Sequence, residues 1–315
     1  MSTLKVNKLR DTAGSADAIT LDPNGGAVLA GVTTVTSVKV GAAVTISESG
    51  IEASGIGITV ANINGGQIGG RRNLMINGAM AVAQRGTSAS SSGYQTVDRF
   101  YLNTDGVDEE PTQAQVNVSS GTTPYTEGFR KAFKITNGNQ TSGAGASDYI
   151  AFRQNIEAQN LATSGWNYNS TSSSVTLSFW IKSSVAQSFK FMMKTEDGSN
   201  YIYHMDTGSL SADTWTKVSK TIIGNSNLTI NNDNGIGVQI YITAYSGTTY
   251  TDNSVTENAW QVYSSGILFG KDNTSTWYTT DNATLEITGV QLEVSGHATD
   301  FEHRSFSQEL ALCQR

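Results

Sequence analysis

The chain has 315 residues and a formal net charge of −7, with 20 Lys and Arg against 27 Asp and Glu. That length suffices to bury a sizeable core and to hold more than one module. Nucleic acid is excluded as the main partner, because phosphate contacts need clustered cations and no basic run exceeds a pair such as Arg71-Arg72. No stretch approaches the ~20 apolar residues of a membrane-spanning helix, and the opening "MSTLKVNKLRDTAGS" lacks the apolar run of a signal peptide. Cys313 is the only cysteine, so no disulfide within the chain is available, which suits folding in a reducing cytosol.

Residues 1–72 contain no Trp, Tyr, Phe, His or Cys. Short apolar alternations, such as Val35, Val38, Val40 and Ile46, Ile51, Ile56, Ile58, Val60, are broken every few residues by Gly, and Ser-Gly-Ile occurs at 49–51 and again at 54–56. Seventy residues without an aromatic make a poor independent core. Several copies sharing small apolar side chains along a common axis would solve this, with glycines permitting tight turns. The segment therefore reads as a stalk built between chains; a flexible linker is the alternative, against which the frequency of β-branched residues speaks.

From residue 73 the pattern changes to strands of sandwich type. "SVTLSFWIK" puts Val175, Leu177, Phe179 and Ile181 on one face, "SFKFMMK" does so with Phe189, Phe191 and Met193, and "GVQIYITAY" aligns Val238, Ile240, Ile242 and Ala244. Turn clusters such as "TEDGSN", "NNDNG" and "KDNTST" stand between. Period-two alternation with polar turns indicates an antiparallel sandwich or jelly roll. Helix is expected only near "NIEAQNLATSG" and in "FSQELALCQ", where Ser305 and Gln308 fit a capping box.

Several ordered motifs carry a resemblance. "RRNLMINGAMAVAQRG", "YQTVDRFYL", "IAFRQNIEAQNLA", "VTLSFWIKSS", "TWTKVSKTI" and "ITGVQLEVSGHATDFEHRSFSQELALCQR" resemble a domain common in phage tail-fibre and virion-fibre proteins. That domain is similar to the jelly-roll carbohydrate-binding modules of glycoside hydrolases, whose first strand often carries a comparable Asn-Leu-x-x-Asn-Gly. The carboxylate that commonly follows there, near a structural calcium, is replaced here by Ala79-Met80. "MSTLKVNKLRDTAG" looks like the start of structural proteins of marine and cyanobacterial phages.

The resemblance implies an all-β chain: an N-terminal intertwined trimeric β-stalk over 1–72, followed over 73–315 by an antiparallel jelly-roll β-sandwich with a short C-terminal helix. It implies a homotrimer in a tail or capsid fibre, assembled in the host cytoplasm. The N-terminus, with Lys5, Lys8 and Arg10, would dock on other virion proteins, and the C-terminal domain would bind host cell-surface polysaccharide. The alternative is a non-receptor structural fibre, a trimerisation cap or a capsid or tail decoration protein. Neither nucleic acid nor membrane insertion belongs to this expectation, and no cofactor or metal does.

The closing stretch tests for chemistry. Asp300, Glu302, His303 and Arg304 have the composition of an acid-base or metal site, yet no partner motif accompanies them and His204 and His297 stand at no ligand spacing. The favoured reading is that Glu302 and Arg304 pair internally and lock the last strand onto the domain. Asp108-Glu109-Glu110 and Glu196-Asp197 read as solvated turns, Cys313 as a packed small residue, and Arg85, Asp98 and Arg99 as strand-corner charges. No Gly-x-Ser-x-Gly, His-Glu-x-x-His or phosphate-loop pattern occurs, so no enzymatic activity is expected, a polysaccharide depolymerase being the least favoured function. Sugar recognition uses aromatic faces beside amides and carboxylates. Trp180 lies on the face of Thr176 and Ser178, opposite Val175, Leu177 and Phe179; Tyr241 and Tyr245 lie with Gln239 and Thr243, opposite Val238, Ile240 and Ile242; Trp277 and Tyr278 fall in the polar "STWYTTDN". These are the glycan-contact candidates; a trimer interface or a second buried sheet face would use the same pattern.

Overall fold

The computed structural model describes residues 71–314 and, before them, six short strands. By its internal contacts the chain divides into two units, Met1–Ala61 and Asn62–Arg315. In the first, β1 (Lys8–Leu9), β2 (Ile19–Leu21) and β3 (Ala27–Leu29) form one antiparallel sheet in that order. β4 (Ser37–Val40), β5 (Val44–Ser47) and β6 (Gly50–Ala53) form a second, with Val38 opposite Ile46 and Ile46 opposite Ile51. These pairings join strands of one chain. An intertwined stalk shared between copies lies outside the described residues, as do the side chains of Lys5, Lys8 and Arg10.

The second unit is a sandwich of two six-stranded antiparallel sheets. In chain order its strands are β7 (Ser88–Ala89), β8 (Tyr101–Asp105), β9 (Thr112–Asn117), β10 (Lys131–Thr136), β11 (Tyr149–Glu157) and β12 (Ser174–Ser183). They continue with β13 (Lys190–Thr195), β14 (Tyr201–Asp206), β15 (Thr216–Ile223), β16 (Ile236–Ser246), β17 (Trp260–Val262) and β18 (Thr284–Glu293). The first sheet runs β15-β12-β18-β10-β9-β7 and the second β17-β14-β13-β16-β11-β8. The chain crosses repeatedly from one sheet to the other, which is the winding of a jelly roll. Four short helices, α1 (Thr123–Thr126), α2 (Ala158–Ala162), α3 (Thr276–Thr279) and α4 (Phe306–Gln314), decorate it.

The core lies between the sheets, where the alternating strands deliver it. Val175, Leu177, Phe179 and Ile181 of β12 meet Phe191 and Met193 of β13 and Val238, Ile240 and Ile242 of β16. Phe179 and Phe191 pack edge to face at 5.1 Å, as do Phe133 and Phe152 at 5.6 Å. Burying each such side chain contributes about 1.5–3 kcal/mol.

The alternation stops at the sheets' outer faces, because both are covered in part. On the first sheet, Val118, Phe129, Ala132 and Trp180 form a second cluster, with Phe301 packed against it. On the second, Tyr241, Met192, Ala151 and Ile202 are buried under Phe269, Ile267 and Tyr250 of the segment after β16. Of the readings open for the out-of-phase aromatics, the second buried face is the one the structure adopts for Trp180 and Tyr241.

β18, the last strand, is central: β12 flanks it on one side and β10 on the other. Between Thr288, opposite Trp180, and Gln291, opposite Ser178, it carries one residue more than its partner. Gly289 supplies the required left-handed backbone, φ 64°. The bulge frees the polar backbone of Val290, and "NLMING" takes it up. Asn73 Nδ2 donates to Val290 O (3.1 Å), and Val290 N donates to Gly78 O (2.9 Å). Asn77, itself at φ 60°, then fastens the turn by donating to Val82 O and Asp98 O and accepting from Val82 N.

Candidate functional site

The closing stretch is a clasp. Glu302 accepts from Arg72 N (3.1 Å) and Asn73 N (2.9 Å), while Arg304 Nη1 donates to Met75 O (3.2 Å) and Nη2 to Asn73 O. Arg304 Nη2 also pairs with Glu302 Oε2 at 2.7 Å, and Gln291 Oε1 accepts from Glu302 N at 2.8 Å. Burial pushes the Glu302 carboxyl up, but the two backbone donors and Arg304 outweigh it and hold the group below its ordinary value. His303 sits between Phe129 and Phe301, with Nε2 2.8 Å from Glu127 O. Glu302 and Arg304 thus hold 71–77 against β18, the Asp300 carbonyl accepts from Arg72 Nη2, and His303 fastens the stretch to the 127–129 segment. The helix after it is capped reciprocally: Ser305 Oγ accepts from Gln308 N and Gln308 Oε1 from Ser305 N.

The strand-corner charges also find partners within the sandwich. Asp98 is buried, 3.5 Å from Arg85 Nη1, and accepts from Gln84 N, while Arg99 Nη2 donates to Leu312 O. With Tyr94 and Cys313 these residues line a recess of 240 Å³. Burial first, then Asp98 and Glu309, push the Cys313 thiol up to about 12, so it stays protonated at neutral pH. A polar cleft of 260 Å³ lies between Glu109, Glu110, Thr136–Asn139 and Asp281–Asn282. Among the described residues no group of three or more His, Cys, Asp or Glu is placed to hold a metal ion.

The sequence-predicted glycan contacts fall in four places. Trp277 and Tyr278 lie on α3, not in an open loop, and are fully enclosed; Trp277 Nε1 donates to Thr284 O and Tyr278 Oη to Asp148 Oδ2. Tyr245 is turned to the core by the register shift between Ile150 and Ala151 and stacks on Tyr278 at 4.4 Å. Trp180 is buried beneath the 118–130 segment and donates through Nε1 to Glu127 Oε2. None of these four presents the open aromatic face expected of it, because the side chains that cover each one come from distant segments.

Gln239 and Tyr241 do share a face, though they are its buried floor. Across the second sheet Tyr101 of β8 stands opposite Arg153 of β11, and Arg153 opposite Tyr241 of β16. One step along, Asn155 stands opposite Gln239, and Gln239 opposite Lys194 of β13. Directly opposed residues project to the same side of a sheet, so two adjacent rows of aromatic and hydrogen-bonding side chains cross three strands or more. Tyr94 extends the first row, packing edge-on to Tyr101 at 5.0 Å. Lys194 Nζ lies 4.2 Å from the ring centroid of Tyr263, which closes the second.

This surface is half-open. Tyr94, Tyr101, Arg153, Asn155, Glu196, Asn200 and Tyr263 all retain partial exposure over the buried Tyr241 and Gln239. Arg153 Nη1 donates to Tyr241 Oη (2.9 Å), and its guanidinium lies 4.8 Å from the Tyr101 ring centre. Glu196 accepts from Lys194 Nζ at 2.6 Å and from Asn200 Nδ2 at 3.0 Å. The Gln239 amide is satisfied at both ends when its nitrogen donates to Glu196 Oε1 and Tyr241 Oη and its oxygen accepts from Arg153 Nη1 at 3.3 Å. Burial pushes the Tyr241 phenol up against the pull of Arg153, so it remains a neutral hydroxyl. Sequence reasoning missed Tyr94, Tyr101, Arg153, Asn155 and Tyr263. The alternation of "IAFRQNIE" was the available clue, since it sets Arg153 and Asn155 opposite Phe152, Gln154 and Ile156.

No family model matches the chain, and no curated protein matches it by sequence. Among solved structures it is similar to the enzymatically active domain of bacteriophage CBA120 tailspike protein 4 at 9% identity and a TM-score of 0.36, covering 70% of this chain and 21% of that one. It is similar to a family 11 carbohydrate-binding module of Clostridium thermocellum at 12% identity and a TM-score of 0.31, over 69% of this chain and 98% of that one. The tandem CBM22 domains of Paenibacillus barcinonensis Xyn10C follow at 14% and 0.35, over 78% and 54%. The chain spans about a fifth of the tailspike domain and about half of the tandem pair. Likenesses this slight carry no argument; the architecture rests on the two sheets themselves.

Proposed function

We propose that this protein is a non-catalytic adhesin that binds polysaccharide through the outer face of the second sheet. The supporting observation is the pair of rows Tyr94–Tyr101–Arg153–Tyr241 and Asn155–Gln239–Lys194–Tyr263, which sets aromatic rings beside amides and charged donors on one rigid, half-open surface. Rings of this kind lie against the C–H faces of sugars, and the amides and guanidinium reach their hydroxyls. Glycoside cleavage by the usual route needs two carboxylates about 5–10 Å apart; the rows hold one neighbouring carboxylate, Glu196, already engaged by Lys194, Asn200 and Gln239. Binding is the activity this surface favours.

The setting we propose is a virion fibre, read from the resemblance of residues 73–315 to phage fibre domains and of "MSTLKVNKLRDTAG" to phage structural proteins. The chain would form a homotrimer, attach by its N-terminal segment to other tail or capsid proteins, and present the sandwich to the host surface. Three copies per fibre and several fibres per particle multiply weak sites by ~10²–10⁴ in avidity. The test is binding of the full chain to an array of bacterial surface polysaccharides, with its size measured in solution and reducing ends assayed. Sugar capture by a trimer without new reducing ends is expected. A blank array for well-folded protein would refute glycan binding and leave a non-receptor structural fibre.

A further inference from the structure

The charge on this surface says which glycans it takes. Three arginines of the sandwich face a carboxylate: Arg304 pairs with Glu302, Arg85 with Asp98, and Arg72 with Glu293 at 3.6 Å. Arg153 does not, although it is half-buried at the centre of the rows. Its contacts on the chain are the Tyr241 hydroxyl, the Gln239 amide and the rings of Tyr101 and Tyr241, at 4.8 and 5.8 Å. Both polar contacts use Nη1. Among the described residues Nε is enclosed with no acceptor, and Nη2 has no hydrogen-bond partner. Glu196, the near carboxylate, is held by Lys194 and Asn200.

A partly desolvated guanidinium without a counter-charge is costly. The Tyr101 and Tyr241 rings offset a part of that cost; an external anion would offset the rest. Arginine suits the purpose because it stays charged at any accessible pH and presents flat, directional donors to carboxylate or sulfate oxygens.

We propose that the glycan taken by this face is acidic, its carboxylate or sulfate lying on the outer edge of the Arg153 guanidinium while its ring rests on Tyr101 and Tyr94. The proposal rests on the glycan-binding reading above and narrows it to uronate- or sulfate-bearing polysaccharide. The net charge of −7 opposes such a ligand only at long range, and salt near 0.1 M screens it beyond ~10 Å. At contact, Arg153 decides.

The experiment measures the full chain against immobilised oligosaccharides in matched sets: uronates and their carboxyl-reduced forms, sulfated sugars and their desulfated forms. Arg153→Gln and Arg153→Lys are measured beside the wild type. The expected result is retention of one acidic set, weakened about tenfold or more by neutralising the sugar, as befits one charged hydrogen bond. Arg153→Gln should lose the same factor on the acidic member alone, and Arg153→Lys should keep a part of it. The uronate and sulfate arms tell which anion is meant. Equal binding to acidic sugars and their neutral forms, unchanged in Arg153→Gln, overturns the proposal and leaves glycan binding standing. Silence on every sugar overturns both. Should Arg153→Gln not fold, the comparison of acidic with neutralised sugar on the wild-type chain still decides.

Discussion

Gly289 lies under Phe129 so closely that a Cβ on it would stand 2.6 Å from Phe129 Cζ. The same glycine carries the positive φ of the β18 bulge, and the bulge is what lets "NLMING" reach Val290. Gly289→Ala should therefore destabilise the sandwich by about 2–4 kcal/mol, combining a left-handed alanine with an overpacked contact. Urea denaturation measures this; a loss under about 0.5 kcal/mol would show that the bulge accommodates a side chain.

The clasp makes a second prediction. Arg304→Ala leaves Glu302 without its cation and the carbonyls of Asn73 and Met75 without their donor. A cost of about 2–4 kcal/mol is expected, as for the loss of one partner of a largely buried pair. Binding of sugar by the protein that remains folded should be unchanged, since Arg304 serves the other sheet.

Glu302 should also leave a mark on the acid limb of stability. Its folded value lies below 4.5, so the unfolded chain binds the proton first, and the stabilisation present above pH 4.5 disappears as pH falls through the folded value. Glu302→Gln should lower stability at pH 7 and flatten the decline between about pH 5 and 3. Denaturation midpoints across that range provide the check.

His204 titrates with the opposite consequence for its own charge. Burial, aided by Lys190, outweighs the contact with Ile267 O at 2.7 Å and the nearby Glu257 and holds it below its ordinary value. As pH drops below 6.5 the unfolded chain gains a proton that the folded ring resists, so stability falls on that side. The ring supports the 247–270 cover, where a Cβ on Gly270, itself at φ 81°, would stand 3.0 Å from His204 Cδ2. His204→Gln should have the smaller difference in Tm between pH 8 and pH 5.5, read by scanning calorimetry.

Tyr94→Ala removes a half-exposed ring of the first row and leaves the core untouched. Affinity for a bound oligosaccharide should fall about tenfold, the scale of one lost ring contact with its buried area. Titration calorimetry would reject Tyr94 as a contact if the variant bound as tightly as wild type.

Much of the sandwich was legible in the chain because its inward residues alternate without interruption. Val175 to Ile181 and Val238 to Ile242 fall where the pattern puts them, and Ser305 with Gln308 caps α4 as its spacing requires. The outer faces were not legible. Whether Trp180 or Tyr241 meets solvent depends on segments elsewhere along the chain, 118–130 and 247–270, whose positions no local periodicity encodes. Trp277 and Tyr278 were misplaced for a related reason: polar neighbours made "STWYTTDN" look open, while the backbone turns both rings inward. Arg153 escaped notice because a charge out of phase in a strand is ordinary; its meaning comes from having Tyr101 and Tyr241 on either side and no carboxylate.

The position of β18 has a consequence for synthesis. Its neighbours β10 and β12 leave the ribosome well before it does, so each waits with a bare edge for a strand still being translated. Nascent or truncated chains that lack β18 would expose two such edges together, the state most prone to pair with the wrong molecule. Tight coupling of translation to closure, or a chaperone standing in for the missing strand, is the demand this topology places on the cell that makes it.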